Sequence, residues 1–350
     1  MNRSHKEETR IDTEAILDLL ESYQAASSLC AAMEIGLFWH LDQGVRSGKD
    51  IAEHFKLPLN RCLYWLQYLC KVGLLEQSPE GFSVTEETRL SILDTYSQET
   101  WTLLAKESME KYPVYQLLTS HFRYPGSLWE VGGLDAPNYV EHMNQDPVRA
   151  RQFTRMLFEL HQKLAEAIAE TLDMREVNQL MDLGGGSGVL SMALLLQNTH
   201  LNAVVVDIPN VCIAGRELAT EHNLEERLSF HPTDFMQDQL PSGFDMVIEC
   251  DVGVYNEDLF KKVQEALNPN GRYVIIDQFA PTKGMAPKSR ISWALQGSLR
   301  DPDFIYPTAE EIVSELEKAG YHSVTSHEFP KIDSHVSQFT DDMYILDSHV

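Results

Sequence analysis

Between residues 179 and 328, short apolar runs alternate with helical stretches, and this alternation constrains the 350-residue chain more than any other feature. QLMDLG precedes a helix from Val189, and NAVVVDI precedes a helix around residues 212–221. LSFHPTD follows, then FDMVIECD before a helix from Glu257, then GRYVIID, a helix over 309–319 and YHSVTSHEF. Strands separated by helices pair in parallel, because the chain must cross back over the sheet before each new strand. The expected fold is therefore α/β, a doubly wound parallel sheet with helices on both faces. Its ligand belongs at the carboxyl ends of the strands.

MDLGGGSGVL places Asp182 at one such strand end, followed by Gly184, Gly185, Gly186, Ser187 and Gly188 before a helix. Glycines permit a tight turn and a close approach of backbone to ligand, and the helix start supplies N–H donors. A dinucleotide site requires G-x-G-x-x-G, but counting from Gly184 or Gly186 puts Val189 or Ser191 at the third glycine. Asp182 would also repel a pyrophosphate, whereas it attracts a sulfonium and an amino group. Asp207 ends the next strand, where an acid accepts both hydroxyls of an adenosine ribose. Two strand-end acids flanking a glycine loop suit S-adenosylmethionine better than NAD.

Ahead of this half, the spacing predicts two consecutive helices from Thr13 to about Leu41, broken near Gly36. A short helix, a turn at Pro58, a helix over 59–72 and two strands around Pro79-Glu80-Gly81 follow, which is the order of a winged helix. Its second helix, LNRCLYWLQYLCKV, carries only Arg61 and Lys71 as charges and reads as apolar on nearly every face, which indicates a dimer or domain interface rather than a DNA reader. The expected organisation is a dimerisation domain at 1–93, a helical connector at 94–175 and a catalytic domain at 176–350. Met143, Met156 and Phe158 in the connector are candidates for lining a substrate pocket, with Trp293 and Tyr306 further along.

Charge narrows the partners. With 28 basic against 53 acidic residues, the net −25 repels nucleic acid and anionic lipid and favours a small neutral or cationic ligand. Cys30, Cys62, Cys70, Cys212 and Cys250 form no CxxC pair, so neither a disulfide framework nor a zinc ribbon is expected, and no metal site is. MNRSHKEETR lacks the apolar core of a secretory signal and no run is long enough to span a membrane, so the expected location is cytoplasmic.

The motifs together resemble the class I S-adenosylmethionine-dependent methyltransferases, in the branch of homodimeric small-molecule O-methyltransferases that includes hydroxyindole, caffeic acid and bacterial natural-product enzymes. AAMEIGLFWHL and YLCKVGLLEQSPEGFSVTEE resemble its amino-terminal winged-helix dimerisation domain. MDLGGGSG, VVVDIPNV, PTDFMQDQLP, ALNPNGRYVIID and YPTAEEIVSELEKAGY resemble its Rossmann-like catalytic domain, in order. The resemblance implies that Gly184, Gly185 and Gly186 face the methionine end of the cofactor and that Asp207 holds the ribose. It also implies that Asp234 and Phe235 hold the adenine, with Cys250 beside the cofactor; as residues alone, Asp234 reads equally as a turn aspartate and Phe235 as core.

In that family the strand matched by FDMVIECD leads to a lysine and then to a His-Asp pair whose histidine takes the acceptor's proton. Here Glu249 or Cys250 stands where the lysine would fall, and Val254-Tyr255 where the pair would fall. Asp251, Tyr255 and Asp277 are the remaining candidate catalytic residues, and histidines in HQKL or TSHEF enter the pocket only by routes that periodicity does not reveal. Methyl transfer survives without the base if the acceptor ionises readily, since positioning supplies more rate than a general base. The expected activity is methyl transfer to a small, aromatic or natural-product-like acceptor at O, N, S or C. The alternatives are the same fold catalysing a decarboxylation or rearrangement, and a non-enzymatic dimeric binding protein.

Overall fold

A computed structural model describes residues 12–134, 138–330 and 342–350, in two compact units, Met1–Pro113 and Val114–Val350. In the first unit, α1 (Thr13–Ile35) starts at Asp12, whose carboxylate accepts from the Ala15 N–H. It stops at Gly36, whose φ of 77° turns the chain into α2 (Leu37–Asp42). α3 (Gly48–His54) and α4 (Leu59–Lys71) follow, then the antiparallel pair β1 (Leu75–Ser78) and β2 (Gly81–Val84), in the order read from the sequence. α5 (Glu86–Thr88) and α6 (Gln98–Gln116) complete this part of the chain. Leu37, Phe38, Leu41, Ile51, Leu66 and Leu69 form its core.

The apolar surface is distributed differently from the expectation. α4 buries one face, through Cys62, Leu66 and Leu69, and exposes Leu59 and Tyr64 on others. The longer exposed apolar run is on α1, where Ile16, Leu17, Leu19, Leu20 and Tyr23 all face solvent. Counting apolar residues around α4 overestimated its bare surface, because Trp65 reaches the Ser28 carbonyl and packs partly into the core.

The second unit opens with α7 (Leu118–His121), α8 (Leu128–Val131), α9 (Tyr139–Gln145) and the long α10 (Pro147–Thr171). Asp146 caps α10 by accepting from the Val148 and Arg149 N–H groups, and Pro147 occupies the first turn, where its missing N–H costs nothing. The sheet contains β3 (Gln179–Leu183), β4 (Asn202–Asp207), β5 (Leu228–Pro232), β6 (Phe244–Cys250), β7 (Leu267–Gln278), β8 (His322–Glu328) and β9 (Met343–His349). Between strands lie α11 (Val189–Gln197), α12 (Pro209–Glu221), α13 (Glu257–Ala266), α14 (Ile291–Arg300) and α15 (Ala309–Lys318).

The strand order is β5-β4-β3-β6-β7-β9-β8. β3 to β7 pair in parallel as expected, but β9 inserts antiparallel between β7 and β8, so the sheet is not wholly parallel. Alternate residues serve opposite faces. Leu180, Val205, Ile248 and Val274 pack with residues of α10, α11 and α12, while Met181, Val206, Val247 and Ile275 pack with α13 and α15. This sandwich fixes the carboxyl ends of β3, β4, β6 and β7 along one edge. No described helix is long and apolar enough to cross a membrane.

Candidate cofactor and active site

The loop after β3 is held by its glycines. Gly184, Gly186 and Gly188 adopt φ of 67°, 56° and 75°, in the left-handed region that side chains disfavour. Gly185 lies over Asp182, and a Cβ there would stand 2.4 Å from the carboxyl carbon. Beside Gly186 the space is open, with no heavy atom within 4 Å of a hypothetical Cβ. The Gly186 N–H donates to Asp207 Oδ2 at 2.9 Å, and the Ile208 N–H to Asp207 Oδ1 at 2.7 Å. The Asp207 carboxylate thus ties the tip of one loop to the strand beside it.

Asp182 is likewise buried and accepts from Ser191 Oγ at 2.7 Å. Among the described residues both carboxylates are met by hydroxyl or amide donors. Burial pushes each up to about 6, with the donors pulling back, and the nearby Asp182 charge adds to the rise at Asp207. Tyr139 of α9, which the sequence did not single out, has its phenol pushed up by burial and by Asp207 and Cys212.

Asp234 follows β5. Its carboxylate accepts from the Met236 N–H at 3.1 Å and from Gln237 Nε2 at 2.9 Å, so it also closes its own turn. Phe235 packs partly against the second core cluster and would lie 3.7 Å from a Cβ on Gly184.

The acidic corner at 249–258 resolves into separate parts. Asn256 caps α13 by accepting from the Leu259 N–H at 2.9 Å, and Glu257 and Asp258 sit in its first turn, where the helix dipole favours them. Glu249 is buried and accepts from the Tyr273 hydroxyl, while its Oε1 has no hydrogen-bond partner. Burial raises it to about 8, against the opposing Tyr273 bond and with help from the Asp277 charge, so at neutrality it holds its proton. The Cys250 thiol is pushed well up, mainly by burial, and stays protonated too.

Tyr255 donates its hydroxyl to Asp277 Oδ2, and the Gln278 N–H donates to Oδ1 at 2.7 Å. Burial and the Asp251 charge raise Asp277, and burial followed by Asp277 raises the Tyr255 phenol. A phenol that donates its hydrogen bond to a carboxylate and is held far above neutrality keeps its proton and is no base. Asp251, at a left-handed φ of 56°, meets Arg290 Nη2 at 2.6 Å. Arg290 also donates from Nε to Gln278, and its guanidinium carbon lies 5.8 Å from the centroid of the Trp293 ring.

Arg290 is the charged residue that sequence reading missed here: it is 39 positions from Asp251, and no local pattern couples the two. Tyr306 joins the group, since burial raises its phenol and Arg290 lowers it. Met143 lies elsewhere, packed with Ala150, Ile208 and Val211, and Met156 is buried on α10. Among the described residues no three His, Cys, Asp or Glu side chains converge to hold a metal.

Comparison with known proteins gives this geometry a lineage. The chain is similar to the N,N-dimethyltransferase OxyT of Streptomyces rimosus, 26% identical over 88% of this chain and 90% of that one. It is also similar to the 3-hydroxy-5-methyl-1-naphthoate 3-O-methyltransferase of Streptomyces sahachiroi, 27% identical over 67% and 66%. The solved structure of PigF with SAH superposes with a TM-score of 0.82 at 17% identity, covering 97% of this chain and all of that one, so the two share their fold. The family model for the O-methyltransferase domain matches residues 130–322, more than half of the sequence, and the chain belongs to that family of S-adenosylmethionine-dependent methyltransferases.

Proposed function

We propose that the protein transfers the methyl group of S-adenosylmethionine to a small aromatic or natural-product-like acceptor. The observation that carries this reading is the glycine loop pinned between two buried carboxylates that no ion pair among the described residues neutralises. Such a site costs free energy when it stands alone, and a cationic ligand offsets that cost. The open space beside Gly186 fits a ligand lying against loop backbone. Gly184, Gly185 and Gly186 would hold the amino-acid end, Asp207 the ribose, and Asp234 and Phe235 the adenine, with Cys250 at the strand end beside it. When bound, the cofactor supplies a methyl group on an electrophilic sulfonium. This chain's own residues bind and orient the reactants, the largest contribution open to a site of this kind.

Similarity to an N-methylating and an O-methylating relative leaves the acceptor atom open between them. The test is incubation with methyl-labelled S-adenosylmethionine and a panel of phenols, amines, thiols and heteroaromatics, read by mass. Label transfer is the expected result. Tight cofactor binding with consumption of acceptors but no label transfer would favour decarboxylation or rearrangement on the same fold.

The first unit reads as a winged-helix dimerisation domain of a protein that works in the cytoplasm. Five apolar side chains of α1 from Ile16 to Tyr23, with Leu59 and Tyr64 of α4, give it the surface to pair with a second copy. Light scattering at micromolar concentration is expected to give twice the chain mass of 39.8 kDa. A monomer mass rejects the pairing.

A further inference from the structure

The turn that follows β5 is built to present one carboxylate. Its Thr233 N–H donates to the Asp207 carbonyl at 2.8 Å, so the turn begins beside the residue assigned to the ribose. Asp234 accepts from the Met236 N–H through Oδ1 and from Gln237 Nε2 through Oδ2, and its own N–H donates to Asp238 Oδ2 at 3.1 Å. Each Asp234 oxygen keeps a second lone pair for a ligand. The Phe235 ring lies toward the glycine loop, with Cε1 3.7 Å from a Cβ placed on Gly184.

The Asp234 and Met236 N–H groups are used within the turn, whereas the Phe235 and Met236 carbonyls are held from outside it. Lys262 of α13 donates from Nζ to the Phe235 carbonyl at 3.0 Å and to the Met236 carbonyl at 3.0 Å. An ammonium has three donors and no fixed plane, which suits two consecutive carbonyls, and a charged donor makes the stronger class of hydrogen bond. A cavity of about 360 Å³ lies between the turn and the start of α13, with Phe235 and Met236 on one side and Leu259 and Lys262 on the other. The lysine therefore braces a turn that does not pack flush on the helix. α13 is a firm support, because Leu259, Phe260 and Val263 are buried in the core that also holds Leu183 of β3 and Val206 of β4.

We propose that Lys262 is a positioning residue for recognition of the cofactor's base. By holding the Phe235 and Met236 carbonyls it fixes the Met236 N–H, through it the Asp234 carboxylate, and so the acceptor offered to the 6-amino group of adenine. The inference rests on the assignment of Asp234 and Phe235 to the adenine made above. It adds that selection of adenine depends on a side chain that acts through the turn rather than on the base itself. The glycine loop is tied to Asp207 by a separate bond, so loss of the lysine should be felt at the base and not at the ribose or the amino-acid end.

The test is calorimetry with S-adenosylhomocysteine and with its analogue carrying hydrogen in place of the 6-amino group. Wild type should prefer the amino compound by about tenfold or more, the worth of a hydrogen bond to a carboxylate. Lys262→Met keeps an apolar stem and removes the donors. It should weaken S-adenosylhomocysteine by about five- to tenfold and the analogue by less than about twofold, so that the preference collapses. Lys261→Met makes the same charge change on the same helix, at a side chain paired with Glu257 on the surface, and should leave both affinities within about twofold. In an Asp234→Asn background the effect of Lys262→Met on S-adenosylhomocysteine should largely vanish, because the two residues act as one unit. If Lys262→Met fails to fold, Lys262→Gln is read in the same way.

Equal weakening of the two ligands by Lys262→Met, or no change in either, would overturn the proposal and leave cofactor binding standing. Additive losses in the Asp234→Asn background, or a Lys261→Met variant that loses the preference as fully, would overturn it too. A wild type that binds both ligands alike would remove Asp234 from the base and the proposal with it. Failure of the wild type to bind S-adenosylhomocysteine at all would overturn the cofactor assignment as well.

Discussion

Asp207→Ala is expected to weaken S-adenosylmethionine binding by about 5- to 150-fold, the cost of about 1–3 kcal/mol for removing a buried hydrogen-bond partner. The substitution removes the ribose acceptor and also frees the Gly186 N–H, whose 2.9 Å bond fixes the loop tip. Isothermal calorimetry on the cofactor alone reads the effect without any acceptor. The affinity of the wild type should also fall as the pH drops through about 6, where Asp207 and Asp182 take up protons and lose the charge that attracts a cation. Unchanged affinity in a folded Asp207→Ala protein would remove Asp207 from the site.

The second large effect concerns stability. In the unfolded chain Glu249, Asp182 and Asp207 ionise near their ordinary values, about 4. In the folded chain burial holds them at about 8, 6 and 6. Between the two values the native state carries the extra proton, so stability is fully present below about 4 and is lost as pH rises through the folded values, by about 1.4 kcal/mol per pH unit for each group. The cofactor-free protein should therefore be more resistant to urea at pH 5.5 than at pH 8. Glu249→Gln removes one of these groups while keeping a neutral acceptor for Tyr273. It should make the dependence shallower by about 1.4 kcal/mol per pH unit between pH 5 and 8. The comparison separates this carboxyl from the general relief of a −25 net charge on acidification. Equal slopes for the two proteins would mean that Glu249 is ionised in the fold.

The parts of the fold and site that the sequence disclosed are those whose cause is local. A glycine run between an apolar strand and a helix has few structural readings, and Gly184, Gly186 and Gly188 are left-handed as such a turn requires. Asp207 was legible because it ends an apolar strand one crossover later. Asn256, Glu257 and Asp258 follow the same strand as the catalytic candidates Asp251 and Tyr255, yet they serve as the cap and first turn of a helix. The Arg290–Asp251 pair depends on tertiary packing across 39 positions of chain, for which a single sequence carries no spacing signal. β9 escaped for a related reason. Its apolar residues are as strand-like as any other, but antiparallel insertion between β7 and β8 is decided by long-range pairing.

That insertion also sets which strands depend on which. β8 comes earlier in the chain than β9, yet β9 is its only neighbour in the sheet among the described residues. β8 joins the sheet only through β9, so this edge depends on a contact between β7 and β9, segments distant in sequence, the kind of pairing that slows folding. Losing residues 343–349 would therefore detach two strands rather than one, and would bare β7, whose carboxyl end carries Asp277, as an unprotected edge. Pairing of β9 is thus a condition for the sheet end on which the active-site corner stands.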